Sequence, residues 1–288
     1  MSVTNKQQLQ ANNKELTRLN TIIDGLGEMP KEGLYAWNKY QSKGGRFLGY
    51  VVNDSVGAYP ADGLKDGYYY SMVKKHIKSL SWKEIKDVSN SGYARYMLDI
   101  GDKKTVTLTN GEEVTFIIAD FSHDDKVSGG KAGITFVADT CLKDTRIMNS
   151  NATSTGGWNG CEMRTYCNST IYNRMPTDLK PHIVQVKKKG YDGISTTILT
   201  SNDYIWLLAE IEVLGEKKHS AGTGEGTKYP IFTDNKSRIR NQNNVPSLWF
   251  LRSPFASSSA YFCDVYTSGE ISNLSASSTA GVLIGFCI

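Results

Sequence analysis

No run of this 288-residue chain approaches the roughly 20 consecutive apolar residues that a membrane-spanning helix needs. Its beginning, "MSVTNKQQLQANNKELTRLN", holds no apolar core segment, so no signal peptide is expected. Dense basic tracts are missing too. The longest, Lys187-Lys188-Lys189, reads as a solvated surface turn, and the net charge of +4 is mild. Nucleic-acid binding and membrane insertion are therefore disfavoured as functions. There are only five Cys, an odd number with no CxxC spacing. Reduced, buried thiols are expected, with Cys263 and Cys287 as the one pair that neighbouring C-terminal strands could bring together.

Catalytic spacings are equally scarce. His76, His123, His182 and His219 fall in no HExxH or HxH pattern. His123-Asp124-Asp125 could face a cation, but adjacent residues seldom converge on one ion, and a solvated loop is the simpler reading. Gly156-Gly157 and the run Gly222, Gly224, Gly226 lack the strand before and helix after that a phosphate-binding loop needs. No Ser occupies a GxSxG elbow. Nothing here argues for an enzyme, and no catalytic residue, metal or cofactor is expected.

What is present has a clear order. In 9–26, Leu9, Leu16 and Ile23 form one series seven apart, and Leu19 and Leu26 continue another, with Asn12 at its first position. This is a heptad pattern. The run is under three heptads, too short for a lone helix, so it packs on its own domain or on copies of itself. The sevenfold spacing favours self-association. Gly27 and Pro30 end the helix. Residues 30–78, rich in Gly and Tyr, read as a small β module of about four strands.

From residue 79 onward, short strands alternate with capped helices, which predicts an α+β domain over 79–288. Ser81-Trp82-Lys83-Glu84 is a capping box, predicting a helix from Trp82 to about Ser89. Val106 and Leu108, then Val114, Phe116 and Ile118, alternate with polar residues around Asn110-Gly111, a hairpin signal suited to a primed turn. Ile134–Ala138 reads as a strand, and Tyr204–Leu208 as a buried one. Asn159-Gly160-Cys161-Glu162 repeats the capping pattern, with Met163, Tyr166, Cys167 and Ile171 on one helical face. Residues 215–228 read as a flexible loop.

The C-terminal end is unlike the rest. Two apolar blocks, Trp249–Pro254 and Gly281–Cys287, bracket the stretch "ASSSAYFCDVYTSGEISNLSASSTA", and Lys is absent after Lys236. The blocks read as core: Trp249, Phe250 and Leu251 supply contacts, Arg252 braces a loop through carbonyls, and Gly281 and Gly285 permit close backbone approach. The filling has the Tyr, Ser, Gly and Asn vocabulary of adaptable binding loops. It also matches the residues reached by changing the adenines of an Asn codon; only Glu270 lies outside that set. An ordinary pair of Ser-rich loops accounts for the composition as well.

Five segments in order, "SWKEIKDVS", "KAGITFVADTCL", "GGWNGCEMRTYCNSTIYNRMPTDLKPHI", "SLWFLRSP" and "GVLIGFC", resemble a phage and prophage tail-associated family of gut bacteria. "GLYAWNKY", "AYPADG" and "DGYYY" look like modules of such tail proteins. The resemblance implies a C-type-lectin-like C-terminal domain, similar to the variable proteins of diversity-generating retroelements, in which adenines of the C-terminal coding region are rewritten. It implies a receptor-binding, adhesin-like tail protein located on the virion tail. The implied partners are a host-cell surface receptor, protein or glycan, other phage tail proteins, and further copies of the chain, with trimers as the usual tail form. The implied scaffold is Trp249, Arg252, Ser253, Pro254, Phe262, Cys263, Gly269, Gly281, Gly285 and Phe286. The implied ligand-facing, variable positions are Ser257, Ser258, Ser259, Tyr261, Asp264, Tyr266, Ser268, Ser272, Asn273, Leu274, Ser277, Ser278 and Thr279. Calcium-lectin motifs are missing, since Trp158-Asn159 is followed by Gly160, so a protein ligand fits as well as a sugar. Two other readings stand beside this one: a structural tail or baseplate protein, and a thiol enzyme of the related formylglycine-generating kind using Cys263 and Cys287.

Overall fold

In the computed structural model, which describes residues 76–92 and 94–288, the capping box at Ser81 starts helix α1 (Trp82–Asn90). The Glu84 amide donates to the Ser81 hydroxyl at 3.2 Å, and the Ser81 amide donates to the Glu84 carboxylate at 2.8 Å. Two otherwise free helix-end donors are thereby satisfied. The buried face of α1 is Trp82, Ile85, Val88 and Ser89. The expected N-terminal helix of 1–29 lies outside the described residues, as does the β module of 30–78 up to His76. The described residues belong to one unit, Lys75–Ile288.

Twelve strands follow. β1 (Lys103–Thr107), β2 (Glu113–Phe121) and β3 (Ile134–Ala138) form a meander. Helix α2 (Glu162–Tyr166) precedes the hairpin of β4 (Val186–Tyr191) and β5 (Ile198–Asp203). Next come β6 (Trp206–Leu207), α3 (Glu210–Leu214) and α4 (Asn235–Arg238). β7 (Arg240–Gln242), β8 (Val245–Ser247), β9 (Trp249–Pro254), β10 (Tyr261–Val265), β11 (Ile271–Ser275) and β12 (Ile284–Cys287) close the chain. The result is an α+β arrangement, mostly sheet with few helices.

Among the described residues the largest sheet has the order β1-β2-β3-β12-β6, so the last strand lies inside a sheet begun by the first described one. Gly285 stands opposite Val137 on one side and Trp206 on the other. A Cβ on Gly285 would come within 3.2 Å of both the Phe136 carbonyl and the Trp206 ring, so glycine is what lets three strands meet there. Phe286 stacks on Phe136 at 5.1 Å and meets Phe116 edge-on at 4.9 Å, while Trp82 of α1 meets Phe136 edge-on at 5.6 Å. Each fully buried Phe stabilises by roughly 1.5–3 kcal/mol. The second sheet is β11-β10-β9.

The structure alters several local expectations. The β1–β2 connection is a longer turn in which the Gly111 amide donates to the Leu108 carbonyl, and Gly111 alone has positive φ. The two-residue primed turn sits instead at Asn243-Asn244, between β7 and β8, with φ of 50° and 66°. Helix α2 is capped by the Cys161 sulfur, which accepts from the Arg164 amide, whereas Asn159 belongs to the preceding helical turn. The Glu162 carboxylate accepts from the Ser150 amide at 3.0 Å. The predicted inner face of Met163, Tyr166, Cys167 and Ile171 is buried.

Candidate ligand-binding surface

Every residue of β9 is buried, although the strand lies at the edge of its sheet. Its anchor is Arg252, which is fully buried. A guanidinium has five N–H donors, and all five are used. Nε donates to the Lys189 carbonyl at 3.0 Å, Nη1 to the Leu207 carbonyl at 2.9 Å, and Nη2 to the Glu225 carbonyl at 2.7 Å. The two remaining donors grip the Glu212 carboxylate at 2.5 and 2.8 Å. The carbonyl bracing read from sequence is present, joined by an ion pair that was not foreseen. Burial opposes the charge on Arg252, but Glu212 outweighs it and the pKa is raised.

The ion pair continues inward. Glu212 accepts from Lys188 Nζ at 2.7 Å, and Lys188 donates to Asp124 at 2.6 Å and to the Tyr229 hydroxyl at 3.1 Å. The Lys188 ammonium also lies 4.5 Å from the centre of the Trp206 ring. Burial pushes the Asp124 and Glu212 pKa values up. Lys188 and His123 beside Asp124, and Arg252 and Lys188 beside Glu212, more than reverse this, leaving both lowered. Two sequence readings are corrected here. Lys187-Lys188-Lys189 is no surface turn, because it lies in β4 with Lys188 at 2 % exposure. Asp124 is no solvated loop residue, because its carboxylate is buried against Lys188.

The Gly-rich 215–228 segment is irregular but tied down, unlike the flexible loop expected. The Glu210 carboxylate accepts the amides of Lys218, His219 and Ser220. Glu225 accepts from the Tyr191 amide at 3.2 Å and from the Ser253 hydroxyl. Burial pushes the Glu225 carboxyl up to about 7.

On this base, the positions singled out between Trp249 and Phe286 separate into two sets. All ten scaffold positions, Trp249, Arg252, Ser253, Pro254, Phe262, Cys263, Gly269, Gly281, Gly285 and Phe286, are buried. Gly269, at φ 80°, turns β10 into β11, and a Cβ there would lie 1.9 Å from the Asn235 carbonyl. Arg238 holds the same turn by donating to the Gly269 carbonyl at 2.8 Å. A Cβ on Gly281 would lie 2.8 Å from Cys141 Sγ and 2.9 Å from the Leu248 carbonyl.

Of the thirteen ligand-facing positions, Ser257, Ser259, Tyr261, Tyr266, Ser268, Ser277 and Thr279 are exposed. Ser258, Ser272, Asn273, Leu274 and Ser278 are half-buried. Tyr266 is 52 % and Tyr261 36 % exposed. Tyr261 is steadied by an edge-on contact with Phe255 at 6.3 Å. Asp264 departs from the expectation. It is 2 % exposed on the middle strand, opposite Phe250 and Ser272, and its Oδ1 has no hydrogen-bond partner. Burial pushes its carboxyl up to about 6.

Beside the Ser-rich segment lies a groove of about 460 Å³, formed by Pro254–Ser259 on one wall and Tyr191 with Gly193–Thr196 on the other. The second wall was missed in the sequence reading. Asp192-Gly193 is the turn signal that marks it. The Asp192 carboxylate accepts the amides of Ile194 and Ser195, which leaves Ile194 69 % exposed at the lip. No side chain lining the groove carries a charge.

The five thiols are free and buried. Cys263 lies on β10 and Cys287 on β12, in different sheets, so they do not pair. Burial raises the pKa of both thiols, well above the usual range, which disfavours the thiolate needed for attack. Among the described residues, no group of three His, Cys, Asp or Glu stands in a metal-holding arrangement. Nor is any described helix long and apolar enough to cross a membrane. A family model described as a domain of unknown function (DUF6273) matches residues 132–288, more than half of the chain. Neither a curated protein nor a solved structure matches.

Proposed function

We propose that this chain, which belongs to the DUF6273 family, is a receptor-binding protein of a phage tail. Its C-terminal domain is read as a C-type-lectin-like scaffold presenting a variable surface that a retroelement diversifies. One observation carries the reading: the ten scaffold residues are buried, while twelve of the thirteen ligand-facing positions reach solvent at least in part. Exchange of a solvent-facing side chain usually changes stability within ±0.5 kcal/mol or so. A surface of this kind tolerates rewriting, and Tyr261 and Tyr266 supply the aromatic anchors that typically dominate binding.

The scaffold reading is supported by the way β12 closes the main sheet while β9, β10 and β11 stand apart as a second sheet. The ligand is a host-cell surface protein or glycan. Self-association through 9–26 would add avidity, by about 10²–10⁴ over a single site.

The test is the locus. Sequenced across a population, it is expected to show clustered change at the outward positions and an unaltered scaffold, beside a reverse-transcriptase gene and a near-copy of the codons for 249–288 differing at adenines. Absence of both the near-copy and the clustering points instead to a structural tail or baseplate protein.

A further inference from the structure

A second cavity, of about 440 Å³, opens between the 123–131 segment, β4 and the 223–227 loop. None of its lining residues belongs to the Ser-rich segment. Its floor is the buried ion cluster. There, the carboxylates of Asp124 and Glu212 are matched by the cations Lys188 and Arg252, so these four charges cancel. At the mouth, Lys131 and Asp125 pair at 2.8 Å and cancel too. Glu225, the remaining carboxyl in the lining, is buried and occupied by the Ser253 hydroxyl and the Tyr191 amide.

What remains is a pair of lysines. β4 alternates exposed and buried through Val186–Lys189, so Lys187 and Lys189 both stand outward while Lys188 points in. Among the described residues, no carboxylate forms an ion pair with Lys187 or Lys189, though Lys189 is near enough to Asp125 to help Lys131 hold that carboxyl below its usual range. Two like charges two residues apart on one strand face repel each other, and an anion between them removes that repulsion. Hydroxyl donors share the lining, at Thr200 opposite Lys189 and at Thr223 and Thr227 on the loop. His123, with Nε2 against the Thr227 hydroxyl at 2.8 Å, completes the wall.

We propose that this cavity binds an oxyanion group, phosphate, sulfate or carboxylate, between Lys187 and Lys189. The site is separate from the outward Ser-rich surface and does not depend on that surface having a receptor. The same chemistry is offered by a free inorganic ion and by an acidic glycan on a cell surface.

Calorimetric titration of the full chain with inorganic sulfate, and separately with a sulfated oligosaccharide, tests it. Lys187→Glu with Lys189→Glu is expected to weaken binding by at least about tenfold, the scale of losing one hydrogen bond to a charged group. Lys83→Glu with Lys236→Glu makes the same change in net charge away from the cavity and is expected to leave binding intact. Thermal melts of both double variants verify folding, which Lys187→Gln with Lys189→Gln provides if the Glu pair fails to fold. Equal binding of both probes identifies a small-ion site, and binding of the oligosaccharide alone identifies a glycan site. The proposal is overturned if neither probe binds at millimolar concentration, or if the cavity and control variants lose affinity equally.

Discussion

Arg252 and Glu212 meet in a two-pronged ion pair at 2.5 and 2.8 Å, with side chains no more than 1 % exposed. The pair joins β9, the strand that leads into the Ser-rich stretch, to α3. Arg252 also reaches the carbonyls of Leu207, Lys189 and Glu225, so one side chain holds segments from four parts of the sequence. A buried ion pair is not in itself a large gain over a hydrophobic pair, but breaking it strands a buried charge. Arg252→Ala is therefore expected to destabilise the domain by about 3–5 kcal/mol. Chemical denaturation measures this, and pairing the change with Glu212→Leu is expected to recover part of the loss.

The outward aromatic residues should behave in the opposite way. Tyr261→Ala and Tyr266→Ala are expected to leave stability within about 0.5 kcal/mol. Each is expected to lower binding of the purified chain to host cells by at least about tenfold. Melting curves and cell-binding isotherms on the same preparations separate the two effects.

How much of this was legible in the sequence follows from the range of the interactions involved. The capping box at Ser81 and the strand Ile134–Ala138 rest on residues close in sequence, and both formed where expected. Lys188 was misread because its partners, Asp124 and Glu212, are 64 and 24 residues away. Nothing within a Lys-Lys-Lys run distinguishes the inward member until β4 is known to be a strand. The loop at 215–228 was misread for a similar reason. Its glycines predict freedom, but Glu225 is held by Ser253 and Tyr191, again distant in sequence. Scaffold positions were easier to read, since large aromatics and glycines announce close packing. Asp264 was not, because a buried carboxylate with an oxygen left unpartnered runs against composition rules.

That buried carboxylate sets a pH dependence. The Asp264 pKa is about 6 in the folded chain, against about 3.9 when unfolded. Between those values the folded state holds the proton that the unfolded state releases, so the Asp264 contribution to stability falls as pH rises and levels off above about 6, while Glu225, raised to about 7, adds a fall of the same sign that runs on to about pH 7. Asp264→Asn removes this term. It is expected to gain about 1–3 kcal/mol near neutral pH, with the advantage vanishing below about pH 4. Denaturation midpoints across that range check it.

Close backbone approach gives a further expectation. Gly281→Ala places a methyl group against Cys141 and the Leu248 carbonyl. Overpacking of this kind typically costs about 1–3 kcal/mol, and a lowered denaturation midpoint would register it.

Whether the fold is independent of the displayed side chains is read from the melting curve of one variant carrying alanine at Ser257, Ser259, Tyr261, Tyr266, Ser268, Ser277 and Thr279 together. If these side chains are displayed by a backbone that does not need them, a single cooperative transition is expected within about 5 °C of the parent. A loss as large as that of Arg252→Ala, or a transition that is no longer cooperative, would mean that the scaffold depends on the side chains it displays.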